Sequence, residues 1–153
     1  DELLAAVPID PRDAFIIASN SGVNGSIVGV ALAVKERGHK LIAVTSLEHT
    51  NAVTPKHPSG QRLSDIADIV IDNLAPYGDT TMHVGEGDQE VGVGAVSSIT
   101  AAYIAQLFTI GVAERLATAG ETAPVYLSAN IPGGDAHNHV LEDRYAGRIR
   151  RGA

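Results

Sequence analysis

The stretch Ser19-Asn20-Ser21-Gly22-Val23-Asn24-Gly25-Ser26 sets three hydroxyls, two carboxamides and two glycines in eight residues. It follows the apolar run Ala14 to Ala18 and precedes a segment whose apolar residues recur with helical spacing. A strand that ends in such a loop and turns into a helix gathers backbone N–H groups, hydroxyls and the positive end of the helix dipole at one point, which suits an anionic group such as a phosphate. Gly22 and Gly25 allow a sharp turn and a close approach of backbone to ligand, while Ser19, Ser21, Asn24 and Ser26 offer neutral donors. Plain N-capping of the helix by Asn24 or Ser21 uses the same residues and stays open as the alternative. The loop is neither G-x-x-x-x-G-K-[ST] nor G-x-G-x-x-G, so a nucleoside triphosphate or a dinucleotide is not expected, and no cofactor is. A second polar cluster is Gly133-Gly134-Asp135-Ala136-His137-Asn138-His139, where a glycine turn presents histidines ahead of a helix. His49 and His57 lie in another polar loop. Asp135, His137 and His139 are ligand types, but their alternating spacing matches no standard zinc motif, and no metal is expected.

These residues need elements to hold them. Ala14 to Ala18, introduced by turn residues, has the form of a strand buried on both faces. Ile27, Val28, Val30, Ala31 and Val34 make a helical stripe that closes with Lys35-Glu36-Arg37 and Gly38. Lys40 to Thr45 is a second buried strand, so the unit is βαβ with parallel strands. Glu48 to Gly60 reads as a loop, Arg62 to Ala67 as a short helix and Ile69 to Ile71 as a third strand. Pro76 to Gln89 is a long loop or an irregular hairpin. Gly94 to Ala119 is a long buried helix closed by Gly120, Val125 to Leu127 a last short strand, and His137 to Tyr145 a terminal helix.

The bulk composition narrows the function classes. At 153 residues the chain is read as one domain, and with 44% hydrophobic and 19% charged residues it is globular rather than disordered. A net charge of −7 and 4% aromatics oppose nucleic-acid binding, which rests on phosphate neutralisation and base stacking. The basic cluster of Arg144, Arg148, Arg150 and Arg151 reads as a solvated helix end. Cysteine is absent, which excludes disulfide and thiolate chemistry. Asp1 to Val7 lacks a basic n-region, and a cytoplasmic location is the expectation. Val91 to Ala113 holds 23 residues without a charge, long enough to span a bilayer, but three Gly, two Ser, two Thr and Gln106 dilute it, so no membrane segment is expected.

The strings IIASNSGVNG, VKERGHKLIAVTS and KHPSGQRLSDIADIVIDN, with the later SANIPGGDAHN, resemble the sugar isomerase (SIS) domain family, in its uncharacterised phosphosugar isomerase or phosphosugar-binding branch. The likeness runs from about Asp13 to Arg148. It implies a three-layer α/β/α fold with a mainly parallel, flavodoxin-like sheet, from which the family's first βα unit is missing here. It also implies a Ser-x-Ser-Gly loop that holds a sugar phosphate, and so implicates Ser19, Asn20, Ser21, Gly22 and Asn24, joined by Ser97, Ser98 and Thr100 from the start of the later helix. Members of this family commonly dimerise, so a homodimer or larger homo-oligomer is the expected assembly.

Aldose–ketose isomerisation needs a base to move a proton between C1 and C2 and an acid to open the ring. Glu90, ahead of Val91-Gly92-Val93 and the Ser97-Ser98-x-Thr100 helix start, resembles the Glu-x-Gly-Val-Ala-Ser-Thr arrangement of the glucosamine-6-phosphate synthase isomerase domain, with two extra residues between the Glu and the serines. It is the candidate base, with a plain solvated loop acid alongside Glu86 and Asp88 as the open alternative, and His137 is the candidate ring-opening group, a role His139 could fill as well. Three readings follow: a sugar-phosphate isomerase working through an enediol, a module that binds or senses a phosphosugar without turnover, and a structural half of a larger assembly. The small-molecule partner in the first two is a sugar phosphate.

Overall fold

The structure, a computed structural model, describes residues 2–148. Arg150 and Arg151 of the basic C-terminal cluster therefore lie outside the described residues. Among the described residues thirteen elements follow one another: α1 Glu2–Ala5, β1 Ala14–Ala18, α2 Gly25–Glu36, β2 Lys40–Thr45, α3 Leu47–Ala52, α4 Leu63–Ile66 and β3 Ile69–Asp72 come first. A 3-10 turn at Tyr77–Asp79, β4 Met82–Val84, a second 3-10 turn at Gly87–Gln89, β5 Val91–Val93, α5 Ser97–Thr118 and α6 Gly134–Arg144 follow. Contacts gather the described residues into two units, one of residues 10–105 and one of residues 2–9 with residues 106–148.

The first unit is an α/β fold on a parallel sheet in the order β1-β2-β3. The register sets Ile16 beside Ile42 and Ile42 beside Ile69, with Ala18, Val44 and Ile71 in the same relation one pleat later. Because side chains alternate across a strand, this divides the sheet cleanly. Leu41, Ala43 and Thr45 are fully buried on the face that α2 and α4 cover, together with Val28, Ala31 and Val34 from α2 and Leu63 from α4. Each fully buried valine or leucine of this set contributes about 1.5–3 kcal/mol. The opposite face is open at its edges, with Ile16 53% and Ile69 55% exposed. The expectation that β1 is buried on both faces is thus corrected: its apolar run is continuous, yet as an edge strand it exposes alternate residues.

Local chemistry fixes the ends of the elements. Helix α2 closes in a Schellman arrangement, where the amide of His39 donates to the carbonyl of Val34 at 3.3 Å and that of Gly38 to Lys35 at 3.0 Å, with Gly38 at φ +81°. The Lys35 ammonium then reaches Asp68 at 2.6 Å, and the same carboxylate oxygen accepts the Leu41 amide at 2.8 Å. That cross-tie links α2 to the starts of β2 and β3. It also holds the Asp68 carboxyl down from 3.8 to about 2, chiefly through the Lys35 bond and then the Leu41 amide.

Four further segments differ from the sequence reading or resolve it. Leu47–Ala52, read as loop, is helix α3, because Ser46 caps it by accepting the His49 amide at 3.0 Å. The glycine-rich acidic stretch takes the hairpin form, with β4 antiparallel to β5 and Met82 opposite Val93. The long helix exists, but it is not buried: Ile99, Tyr103, Leu107, Ile110 and Val112 are between 49% and 69% exposed. Apolarity reports what a segment would gain from burial, not that a covering element is at hand. Among the described residues no helix is long and apolar enough to cross a membrane. Val125 to Leu127 forms no strand; in the second unit the side-chain amide of Asn138 takes the place of a neighbouring strand, accepting the Leu127 amide at 2.9 Å and donating to its carbonyl at 2.8 Å.

Candidate functional site

All three strands of the parallel sheet run the same way, so their C-terminal ends share one edge, the customary ligand edge of such sheets. The hydrogen bonding continues past the strands into that edge. The Ser19 amide donates to Val44 at 2.9 Å, the Ser46 amide to the Asn20 carbonyl at 3.1 Å, and the Asn73 amide to Thr45 at 2.9 Å. The Thr45 hydroxyl adds a bond to the Asn20 carbonyl at 3.0 Å. The Asn73 carboxamide donates to the Asn20 side-chain oxygen at 3.0 Å while accepting the Ala75 amide at 3.0 Å. These bonds leave the loop after β1 little freedom at its root.

Beyond the root the backbone turns through Gly22, at φ +60°, a region that favours glycine. A Cβ here would sit 3.1 Å from the Thr45 hydroxyl and 3.3 Å from both the Leu63 Cβ and the Thr50 hydroxyl. Gly22 closes on Ser19, whose hydroxyl accepts its amide at 3.3 Å, and its carbonyl accepts the Leu63 amide at 2.8 Å. Asn24 is the N-cap of α2 in extended conformation, but its side chain makes no capping bond. The N-capping alternative is therefore realised by the backbone alone, and the Asn24 carboxamide is left for something else.

The loop separates two clefts. The first, about 260 Å³, is floored by Ala18, Val44 and Ala101 and lined by Ser19, Asn20, Asn73, Ser97 and Ser98. Its volume sits near the lower end of small-molecule pockets, roughly 300 Å³. The second, about 410 Å³, lies against Ser21, Val23 and Asn24 on one side and His49 with Val53 to Lys56 on the other. The structure thus brings Ser19 and Asn20 together with Ser97 and Ser98, and turns Ser21 and Asn24 to the other cleft. Thr100 lines neither; its hydroxyl donates back to the Val96 and Ser97 carbonyls at 3.1 Å.

The start of α5 already carries an anion. Asp79 accepts the Val96 amide at 3.0 Å, the Ser97 amide at 2.9 Å and the Ser97 hydroxyl at 2.5 Å. Its carboxyl is held below the ordinary range by the Ser97 hydroxyl first, then by the Ser97 and Val96 amides, against partial burial, which raises it. The 3-10 turn that bears Asp79 is pinned in turn by α3, where Glu48 accepts the Tyr77 amide at 2.8 Å and His49 Nδ1 accepts the Gly78 amide at 3.0 Å.

Glu90 is exposed at the end of the hairpin turn, its amide bonded to the Gly87 carbonyl at 3.1 Å, and it lines neither cleft. His137 belongs to the second unit, where its Nε2 donates to the Val125 carbonyl at 3.0 Å. His139 Nδ1 donates to the Asp135 carbonyl at 2.7 Å, and no group of three metal-binding side chains gathers among the described residues. Asn73 and Asp79 did not stand out in the sequence. Asn73 has a legible signal, a polar residue just after an apolar strand, at the level of Asn20; Asp79 has none, because its role depends on a contact 18 residues away.

A parallel α/β sheet with a serine-, asparagine- and glycine-rich loop at the head of its first crossover helix is the architecture of an α/β domain with its cleft at the C-terminal edge of the sheet. The family model described as SIS domain matches residues 1–46. That match spans β1, the loop after it, α2 and β2, and it supports an SIS domain. The chain is similar to UPF0309 proteins: 36% identical over 138 residues to one from Caldanaerobacter subterraneus subsp. tengcongensis, covering 90% of this chain and 56% of the relative. With one from Oceanobacillus iheyensis it shares 36% over 149 residues, covering 97% and 60%, and with one from Listeria monocytogenes serotype 4b, 37% over 146 residues, covering 95% and 58%. The chain spans less than two thirds of the length of these relatives.

Proposed function

We propose that this chain binds a sugar phosphate on the Ser19 to Asn24 loop at the C-terminal edge of the sheet. The observation that carries the reading is the set of polar groups there that the fold does not use: the Ser21 and Ser98 hydroxyls and the Asn24 carboxamide have no side-chain hydrogen bond among the described residues. Asp79 argues for where the phosphate goes. An anion beside Ser97 repels a second one, so the phosphate belongs at Ser21, Asn24 and the head of α2, and the neutral side chains Ser19, Asn20, Asn73 and Ser98 suit sugar hydroxyls.

Binding is the function the geometry supports best. The first cleft is lined without a carboxylate, ammonium or imidazole, so nothing in its lining can take the C2 proton of an aldose phosphate. Isomerisation through an enediol is the finer reading, and it requires Glu90 to reach the sugar as the base and a group such as His137 to open the ring. Proton NMR in D₂O with a panel of hexose, pentose, heptose and amino-sugar phosphates tests both. Line broadening with the C2 proton retained is the expected result; loss of the C2 proton for one sugar, suppressed in Glu90→Gln, would replace binding with isomerisation. No broadening for any of them would overturn the site.

A further inference from the structure

The second cleft contains groups that neither the loop motif nor the fold accounts for. Lys56 is exposed, and among the described residues its ammonium makes no ion pair or hydrogen bond, in a chain of net charge −7. Its backbone is nevertheless fixed: the Lys56 amide donates to the Val23 carbonyl at 3.0 Å, so residue 56 is tied next to Asn24. The wall that leads to it is fixed as well. Arg62 turns its guanidinium onto the carbonyls at the end of α3, Thr50 at 2.9 Å and Val53 at 3.0 Å, and spends its charge there. His49, on the same wall, has Nδ1 occupied as acceptor of the Gly78 amide. A backbone amide can only donate, so neutral His49 carries its proton on Nε2, the remaining donor of the ring. The acid of that helix, Glu48, is engaged with the Tyr77 amide. The lining thus offers one cation, one imidazole N–H, the two hydroxyls of Ser21 and Thr54 and one carboxamide, and no carboxylate.

We infer that Lys56, with His49 as a neutral donor, completes the anion subsite of the loop and selects a phosphate monoester in its dianionic form over a phosphodiester or an uncharged sugar. This rests on the sugar-phosphate reading above, and it adds to it a residue pair and a ligand charge. A second negative charge on the ligand is rewarded only where a mobile cation faces it, and Lys56 is the cation that the fold leaves uncommitted in that cleft.

The test is a ³¹P NMR titration at pH 8 and low ionic strength with methyl phosphate and dimethyl phosphate as probes, on the wild-type chain and on Lys56→Gln, Lys56→Arg and Ser21→Asp, each checked for an unchanged thermal melt. The expected result is saturable binding of methyl phosphate, about tenfold weakened in Lys56→Gln and kept within about threefold in Lys56→Arg, with dimethyl phosphate bound weakly and indifferently to residue 56. If Ser21→Asp abolishes binding while Lys56→Gln leaves it unchanged, the role of Lys56 is overturned and the loop site stands. Equal losses in Lys56→Gln and Lys56→Arg would make its role one of packing, which also overturns the inference. No binding of methyl phosphate by the wild type overturns both.

Discussion

Gly22 offers a quantitative test of the loop, because two separable effects act on it. An alanine placed at φ +60° pays the left-handed backbone penalty of about 1–2 kcal/mol. Its Cβ would also meet the Thr45 hydroxyl at 3.1 Å and the Leu63 Cβ and Thr50 hydroxyl at 3.3 Å, around a residue that is itself buried. Overpacking of this kind adds about 1–3 kcal/mol. Gly38 is the internal control: its φ is +81°, but a Cβ there meets nothing within 4 Å. Gly38→Ala therefore reports the backbone penalty alone, and Gly22→Ala is expected to exceed it by at least about 1 kcal/mol. At this chain length each kcal/mol moves the melting temperature by about 2–4 °C. Urea and thermal unfolding of the two variants, followed by far-UV circular dichroism, give both numbers, and methyl phosphate affinity should fall in Gly22→Ala only. Equal destabilisation within about 0.5 kcal/mol would refute the packing of Gly22 against Thr45, Thr50 and Leu63, and with it the fixed shape of the loop.

Three further outcomes are expected. Asn73→Ala strands the Ala75 amide and frees the Asn20 carboxamide, so it should destabilise by about 1–3 kcal/mol and weaken sugar-phosphate binding, read by denaturant melts and by NMR line broadening. Asp79→Ala removes the acceptor of two α5 amides and should cost about 0.5–2 kcal/mol, with hydrogen exchange rising first at Val96 and Ser97; unchanged exchange there would count against the cap. Acid should destabilise the fold in a definite window. Asp68 and Asp79 are both depressed in the folded state, so the stability they lend is complete above the ordinary carboxylate value of 3.8 and is lost as pH falls through the folded values, about 2 for Asp68. A melting-temperature series from pH 6 to pH 2 should therefore fall below about pH 4, and Lys35→Ala should shallow that fall, because the Lys35 bond is the largest cause of the Asp68 shift; a slope untouched by Lys35→Ala would discount the cross-tie.

The elements of the first unit were legible because each is specified within a few residues. Apolar runs bounded by turns marked β1, β2 and β3, the 3.6-residue stripe and Gly38 marked α2, and the spacing of βαβ implied a parallel sheet. The loop Ser19 to Asn24 stood out for the same reason, since its small and polar residues adjoin one another in the chain. Helix α3 escaped notice because its sequence, LEHTNA, has no apolar stripe and depends on the Ser46 cap and on the Arg62 side chain at its end. What covers a face was not legible either. The charge-free run through α5 and the apolar Ile16 express a tendency to burial, but burial itself depends on elements distant in sequence, and Ile16 on the edge strand is left 53% exposed. The division of the loop between two clefts, the Asp79 anion on α5 and the uncommitted charge of Lys56 are likewise tertiary facts. Each depends on contacts across 17 residues or more, such as Asp79 with Val96 or Val23 with Lys56, where side-chain reach and backbone register, rather than local propensity, decide which groups meet.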